Sequence, residues 1–193
     1  MSYHYFAMLS RMKHINRWGL MRNTRAENLS EHSLETAFIA HALCVINNKR
    51  FGGNLNPERA AVLAMFHDTT EIITGDMPTP IKYSNEKIRS VYKEIEKTAE
   101  DQLLSLLPSD FTDAYKEVYE AGDEYKKIIR AADKISALIK CIEEGKAGNT
   151  EFSVAEQSTL KAVKNLELPE AEVFIEEFLG SYRLTLDEQK ANT

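Results

Sequence analysis

Apolar residues return every three or four positions along almost all of this chain, without sustained alternation, so the pattern predicts helices throughout and no sheet. Tyr3, Phe6, Ala7, Met8, Leu9, Met12 and Ile15 mark a wide apolar face on a first helix over about residues 3–17. A loop from Arg17 to Leu29 follows. The next helix can be capped by Asn28 or Ser30, and Glu31, three residues after Asn28, completes a capping-box pattern. Its apolar positions run through Leu34, Ala37, Phe38, Ala42, Val45 and Ile46 until "RFGGN" breaks it. Asn56 followed by Pro57 starts another helix, because proline is favoured at the first helical position, and this one is predicted to run on to Gly75. "GDMPTP" is predicted to be non-helical, since its two prolines restrict themselves and the residues before them. Further helices fit 85–107, 110–121, 124–145, 152–166 and 170–183, separated by Pro108, Gly122, "GKAGN" and Pro169. No repeat, low-complexity tract or interdomain linker interrupts them. The expectation is one all-α domain over residues 1–193, with a core at about 28–145 and the terminal helices packed on it.

Composition changes this picture little. Of the 193 residues, 43% are hydrophobic and 28% charged, which is ordinary for a globular chain. No apolar run approaches the roughly 18 residues of a membrane helix, and "MSYHYFAMLSRMKH" lacks the apolar stretch of a signal peptide. A cytoplasmic protein without a membrane partner is expected. Cys44 and Cys141 sit in apolar helical stretches without metal-type spacing and read as packing residues. A net charge of −6 argues against a nucleic-acid polymer as partner but leaves room for a small phosphorylated ligand.

The chemistry gathers in "MFHDTTEIITGDMP", residues 65–78. On a helix Glu71 falls four residues after His67 and three after Asp68, so the three share a side of a segment otherwise built from Ala60, Val62, Leu63, Met65, Phe66, Ile72 and Ile73. Carboxylates placed there need a partner, a hydrogen bond or a metal. A lone His-Asp dipeptide is more often a surface ion pair beside a core-edge histidine. It gains weight from His32, after "ENLSE", and from Asp133 in "IIRAADKISALIKC", which complete a mixed nitrogen and oxygen ligand set suited to Mn, Co, Fe, Ni or Zn.

This ordered pattern, with gaps of 35 residues from His32 to His67 and 65 from Asp68 to Asp133, resembles the HD-domain superfamily of metal-dependent phosphohydrolases. "INRWGLMRN", "SEHSLETA", "FHDTTEIITGDMPTP" and "AADKISALIKC", taken together, resemble the bacterial HD-domain 5′-deoxynucleotidases in particular. The resemblance implies an HD-type helical bundle in which His32, His67, Asp68 and Asp133 hold one divalent transition ion, cobalt, manganese or similar. It further implies that Glu71 is the catalytic carboxylate and that Arg17 orients the phosphate. Trp18 would lie against the sugar and exclude a 2′-hydroxyl, Asp76 would accept from the 3′-hydroxyl, and Met77, Pro78 and Thr79 would shape the adjoining wall. His32, Asp68 and Asp133 also border the substrate on this reading. The implied reaction is hydrolysis of deoxyribonucleoside 5′-monophosphates to deoxynucleosides and phosphate by a homodimer.

Periodicity alone leaves other readings open. Arg17 could end a helix, Trp18 could be core, and Glu71 could be a surface acid. Ile128, Ala131, Ala132, Ile135, Leu138, Ile139 and Ile142 mark one face of their helix, and Asp133 points away from it. Its ligand role requires a second inward strip of Ile129, Asp133 and Ser136. His4, His14 and His41 have no motif partners, and spacing does not place Arg22 or Arg25. An HD-type hydrolase of another nucleotide, a nucleotide-binding sensor without turnover and a structural helical module remain alternatives.

Overall fold

The computed structural model describes residues 2–82 and 85–191. Its helices are α1 (Tyr5–Leu9), α2 (Leu29–Arg50), α3 (Pro57–Phe66), α4 (Glu71–Thr74), α5 (Thr79–Lys82), α6 (Glu86–Leu104), α7 (Thr112–Lys116), α8 (Asp123–Lys146), α9 (Ser153–Lys164), α10 (Pro169–Glu177) and α11 (Leu186–Ala191). Short 3-10 turns at Ser10–His14, Thr150–Phe152 and Leu179–Arg183 join or extend them. Among the described residues no strand forms, and the only bridge pairs Asn16 with Asn28.

The predicted caps are present. Asn28 accepts from the backbone N–H groups of Ser30 and Glu31 while Glu31 reaches back to the Asn28 N–H, a complete capping box. Pro57 opens α3 with Asn56 accepting from the Arg59 N–H at 2.8 Å. The first helix is shorter than predicted: it tightens at Ser10 and becomes extended at Ile15. Hydrogen bonds from Arg17 N to Glu27 O (2.9 Å) and from Leu29 N to Ile15 O (3.0 Å) then zip the two ends of the 17–28 loop together. α11 lies beyond the last helix predicted, and α7 fills only part of 110–121. "GDMPTP" is non-helical only up to Pro78. α5 starts at Thr79, with Pro80 in its first turn, where a missing N–H costs nothing.

α2 and α8 form the centre. α2 buries side chains on more than one side because α3, α8 and α10 all pack on it. Small residues Ser33, Thr36, Ala37 and Ala40 are buried at these contacts and let the neighbours approach closely. Leu34 and Phe38, counted among its apolar positions in the sequence pattern, are left 51% and 66% exposed. The main apolar cluster joins α2, α3, α8 and α10, and a second one gathers Tyr5, Leu103, Leu104 and Leu107 beneath α1 and α6. Cys44 and Cys141 are buried free thiols, as their apolar settings implied. His4, His14 and His41 are exposed.

Candidate active site

The helix predicted to carry His67, Asp68 and Glu71 is not continuous. α3 ends at Phe66, and residues 67–70 are a turn before α4 begins at Glu71. The backbone hydrogen bonds shorten there from four residues to three: Thr69 N to Phe66 O at 3.2 Å, Glu71 N to Asp68 O at 3.0 Å and Ile72 N to Thr69 O at 3.2 Å. At three residues per turn, side chains at i and i+3 eclipse, so Asp68 and Glu71 stay on one side although the α-helix has broken. Gly75 then turns the chain with φ +74°, a conformation that suits glycine, and delivers Asp76 beside the site.

Two helices, α2 and α8, and the turn after α3 supply the centre. Atoms of His32, His67 and Asp68 lie within 4.8 Å of one another. His32 Nε2 is 3.5 Å from Asp68 Oδ2 and 3.2 Å from Asp133 Oδ1, and His67 Nε2 is 3.2 Å from Asp68 Oδ2. Asp133 therefore reaches the cluster through His32, its side chain 36% exposed against 16% for Asp68. The second inward strip of α8 exists: Ile129 and Ser136 are buried on either side of Asp133. Periodicity alone pointed Asp133 outward because it weighs apolar residues only.

The two imidazoles are poised as nitrogen ligands. His67 Nδ1 lies 2.6 Å from the Ala64 carbonyl, which can only accept, so Nδ1 carries a proton and Nε2 is the nitrogen available to a ligand. Nε2 of His67 is buried without a hydrogen-bond partner among the described residues. Burial alone would lower the His67 pKa, but Asp68 and Asp133 outweigh it and push it up to about 9, so without a cation Nε2 is protonated near neutral pH and an ion binding there would displace that proton. Burial would raise Asp133, yet His32 and Arg17 hold it at about 2. Asp68 is likewise held well below the usual carboxylate range against its burial, chiefly by His67 and His32. An orphaned imidazole nitrogen facing ionised carboxylates is a fitting cradle for a divalent transition ion.

Glu71 is 4% exposed, and its Oε2 has no partner among the described residues. Burial, followed by the charges of Asp68 and Asp76, pushes its pKa up to about 9. Lys82 of α5 approaches its Oε1 at 3.9 Å but is engaged more closely by Glu96, at 2.8 Å, and by the Tyr92 ring.

Arg17 closes the site from the loop, with Nη1 3.5 Å from Asp68 Oδ2. Burial would weaken its charge, but Asp133, Asp68, Glu27 and Asp76 more than restore it. Its Nε donates to Glu27 Oε2 at 3.1 Å, and the same oxygen accepts from the Trp18 indole at 3.0 Å. Glu27 thus orients both residues, and no motif marked it. Trp18 holds φ +59°, strained for a bulky side chain, and its ring packs on Phe152 with centroids 5.3 Å apart. The Asp76 carboxyl is raised by burial, with Arg17 and a hydrogen bond from the Trp18 backbone opposing. Met77 and Pro78 are half-buried beyond it, and the Pro78 carbonyl accepts the first α5 hydrogen bonds. The side chain of Thr79 lies outside the described residues. Arg22 and Arg25 pair with Glu151 and Glu31 at the surface and do not join the cluster.

Beneath the loop, buried Glu144 of α8 accepts from the Thr24 N–H and hydroxyl, the Arg25 N–H, Asn149 and Lys140. This knot fixes the segment that carries Arg17 and Trp18.

Known proteins share this arrangement of helices. A 5′-deoxynucleotidase of Photobacterium profundum is 51% identical over 188 residues, covering 96% of this chain and 97% of the relative. One from Vibrio parahaemolyticus is 49% identical with the same coverage. Among solved structures, an HD-domain phosphohydrolase from Listeria innocua superposes with a TM-score of 0.81 at 23% identity, covering 97% of this chain and 92% of its own. The HD phosphohydrolase of cyanophage S-2L, solved bound to dA and one catalytic Zn2+ ion, gives 0.69 at 17% identity, covering 94% of this chain and 99% of its own. The family described as 5′-deoxynucleotidase YfbR-like matches residues 4–182. With half its residues shared along nearly its whole length, the chain belongs to the YfbR-like 5′-deoxynucleotidases.

Proposed function

We propose that this protein hydrolyses deoxyribonucleoside 5′-monophosphates to deoxynucleosides and phosphate, using one divalent transition ion, cobalt, manganese or similar, held by His32, His67, Asp68 and Asp133. The observation that carries the reading is the buried Nε2 of His67, 3.2 Å from ionised Asp68, with His32 and Asp133 beside it and Arg17 at the rim. What the ion supplies is charge neutralisation of the phosphate and acidification of water.

The chain supplies the rest. Arg17, always cationic, has further N–H donors to offer phosphate oxygens beyond those turned to Glu27 and Asp68. Glu71, one short turn from Asp68 and screened from bulk water, handles the proton that moves between water and the leaving 5′-oxygen. Trp18, clamped by Glu27 and Phe152, is the rigid wall that crowds a 2′-hydroxyl. Asp76 accepts from the 3′-hydroxyl, with Met77, Pro78 and Thr79 completing the sugar side. The whole chain acts as a single domain, in the cytoplasm and as a homodimer, for which exposed Leu34, Phe38 and Phe178 offer apolar surface. No described helix is long and apolar enough to cross a membrane.

The test is phosphate release from paired deoxy and ribo monophosphates with Co, Mn, Mg or Zn, beside a chelated control. Faster release from the deoxy partner, abolished by chelation, is expected. Equal release from both sugars overturns the deoxy specificity, and full activity under chelation overturns the metal site. Light scattering tests the dimer, and a monomer would refute it.

A further inference from the structure

His67 and His32 reach the same protonation pattern by different means. The proton of His67 is fixed on Nδ1 by a backbone carbonyl, an obligate acceptor. Nδ1 of His32 faces Ser136 Oγ at 3.1 Å, and a hydroxyl can either donate or accept. The next contact decides which. Ser136 donates its single proton to Glu35 Oε2 at 2.6 Å, so only its lone pairs are left for His32.

The alternative tautomer has its own attraction. With the proton on Nε2, His32 would hydrogen-bond directly to Asp133 Oδ1, 3.2 Å away, with Asp68 Oδ2 at 3.5 Å. That hydrogen bond would close the cluster on itself and leave a cation one nitrogen ligand short. An acceptor at Nδ1 is what turns the balance. The geometry supplies it economically: His32 and Glu35 are one turn apart on α2, and Asp133 and Ser136 one turn apart on α8, so the turns that meet at the ligands also meet at the relay. His32 and Ser136 are both sealed from solvent, so water cannot stand in for either partner.

We propose that Ser136 and Glu35 are positioning residues for His32: Glu35 accepts the hydrogen bond from the Ser136 hydroxyl, Ser136 in turn accepts from His32 Nδ1–H, and Nε2 is left as a lone pair for the metal. This rests on the metal site of the preceding section but not on the identity of the substrate.

The experiment is a chelator-competition titration of the whole purified protein with Co2+ and with Zn2+, in the absence of nucleotide. Ser136→Ala is expected to weaken binding by about 10- to 100-fold, the usual cost of losing a partner behind a ligating histidine. Glu35→Ala weakens it in the same direction by about 3- to 10-fold, while Glu35→Gln, which keeps an acceptor oxygen, stays within about threefold of wild type. Because Glu35 acts only through Ser136, the double variant should bind no more weakly than Ser136→Ala alone. Melting in EDTA reports whether each variant is folded. Glu35 is half-buried, so its replacements keep the test alive if Ser136→Ala fails to fold. Wild-type affinity in folded Ser136→Ala or Glu35→Ala, or losses that multiply in the double variant, would overturn the relay. A wild-type protein that binds neither ion overturns the metal site and the relay together. One that binds cobalt but hydrolyses dAMP no faster than AMP overturns only the substrate reading, and the affinity ratios still decide the relay.

Discussion

Glu71 and Glu144 are both glutamates sealed from solvent, at 4% and 1% exposure, and the fold treats them in opposite ways. Glu144 is surrounded by donors: two from Thr24, one from the Arg25 backbone, one from Asn149 and the Lys140 ammonium. Burial opposes its charge, but Lys140, Asn149 and Thr24 overwhelm that and hold its pKa well below the usual carboxylate range. Glu71 has one oxygen without a partner, other carboxylates nearby and a lysine only at 3.9 Å, and its pKa rises to about 9. The first arrangement holds structure, because every oxygen lone pair has a use. The second leaves a carboxyl free to exchange a proton, at a cost in stability.

The comparison can be broken most decisively at Glu71. Glu71→Gln should lower phosphate release by about 10²- to 10⁴-fold, the range for a lost proton-transfer group. It should nevertheless melt no lower than wild type in EDTA. The folded carboxyl keeps its proton to about pH 9 whereas the unfolded one loses it near 4.5, so rising pH destabilises the wild type across that window and the Gln variant gains on it from pH 5 to 9. A variant that melts lower at pH 8 would place Glu71 among the structural acids.

At the other pole, Glu144→Ala should cost about 3–5 kcal/mol in urea unfolding, because it strands buried Lys140 and the loop donors. A loss below about 1 kcal/mol, the scale of an exposed ion pair, would deny the knot its role.

Between these poles lies the loop that the knot holds. Trp18→Ala should relax discrimination between dAMP and AMP by about tenfold or more, the scale of one lost steric contact. Steady-state kcat/KM ratios for the two nucleotides check this, and an unchanged ratio removes Trp18 from sugar selection.

The smallest effect sharpens the contrast by its sign. Glu144→Gln keeps acceptor oxygen but no charge and should cost about 1–3 kcal/mol at neutral pH. With a depressed folded pKa, the charge stabilises above pH 4.5 and its contribution is lost as pH falls through the folded value. The difference in melting temperature from wild type should therefore be flat from pH 5 to 8 and shrink below pH 4.5. The trend is opposite to that at Glu71.

Much of the protein was legible in one dimension. Helix starts at Asn28 and Asn56–Pro57 and the all-α class depend on residue type and on spacings within a few turns, whereas the ordered set His32, His67, Asp68, Glu71 and Asp133, spread over 101 positions, was readable only through its resemblance to a family pattern. Capping and periodicity are local physics, read from neighbours within four residues. The break after Phe66 was not legible, because Ile72 and Ile73 continue a helical apolar pattern across it. The missed exposure of Leu34 and Phe38 has a similar cause, since the buried side of α2 was chosen by three neighbouring helices and not by its own apolar residues.

What the sequence by itself determined was the helical alphabet and the identity of the candidate ligands. Only the tertiary structure decided that Asp133 turns inward, that Glu27 clamps Arg17 and Trp18, that Ser136 and Glu35 stand behind His32, and that Glu144 ties down the loop. His32 and Ser136 are 104 positions apart, and Thr24 and Glu144 are 120 apart. Hydrogen bonds over such separations depend on how α2 and α8 pack, and packing is fixed by the sum of many side-chain volumes, which no local pattern carries.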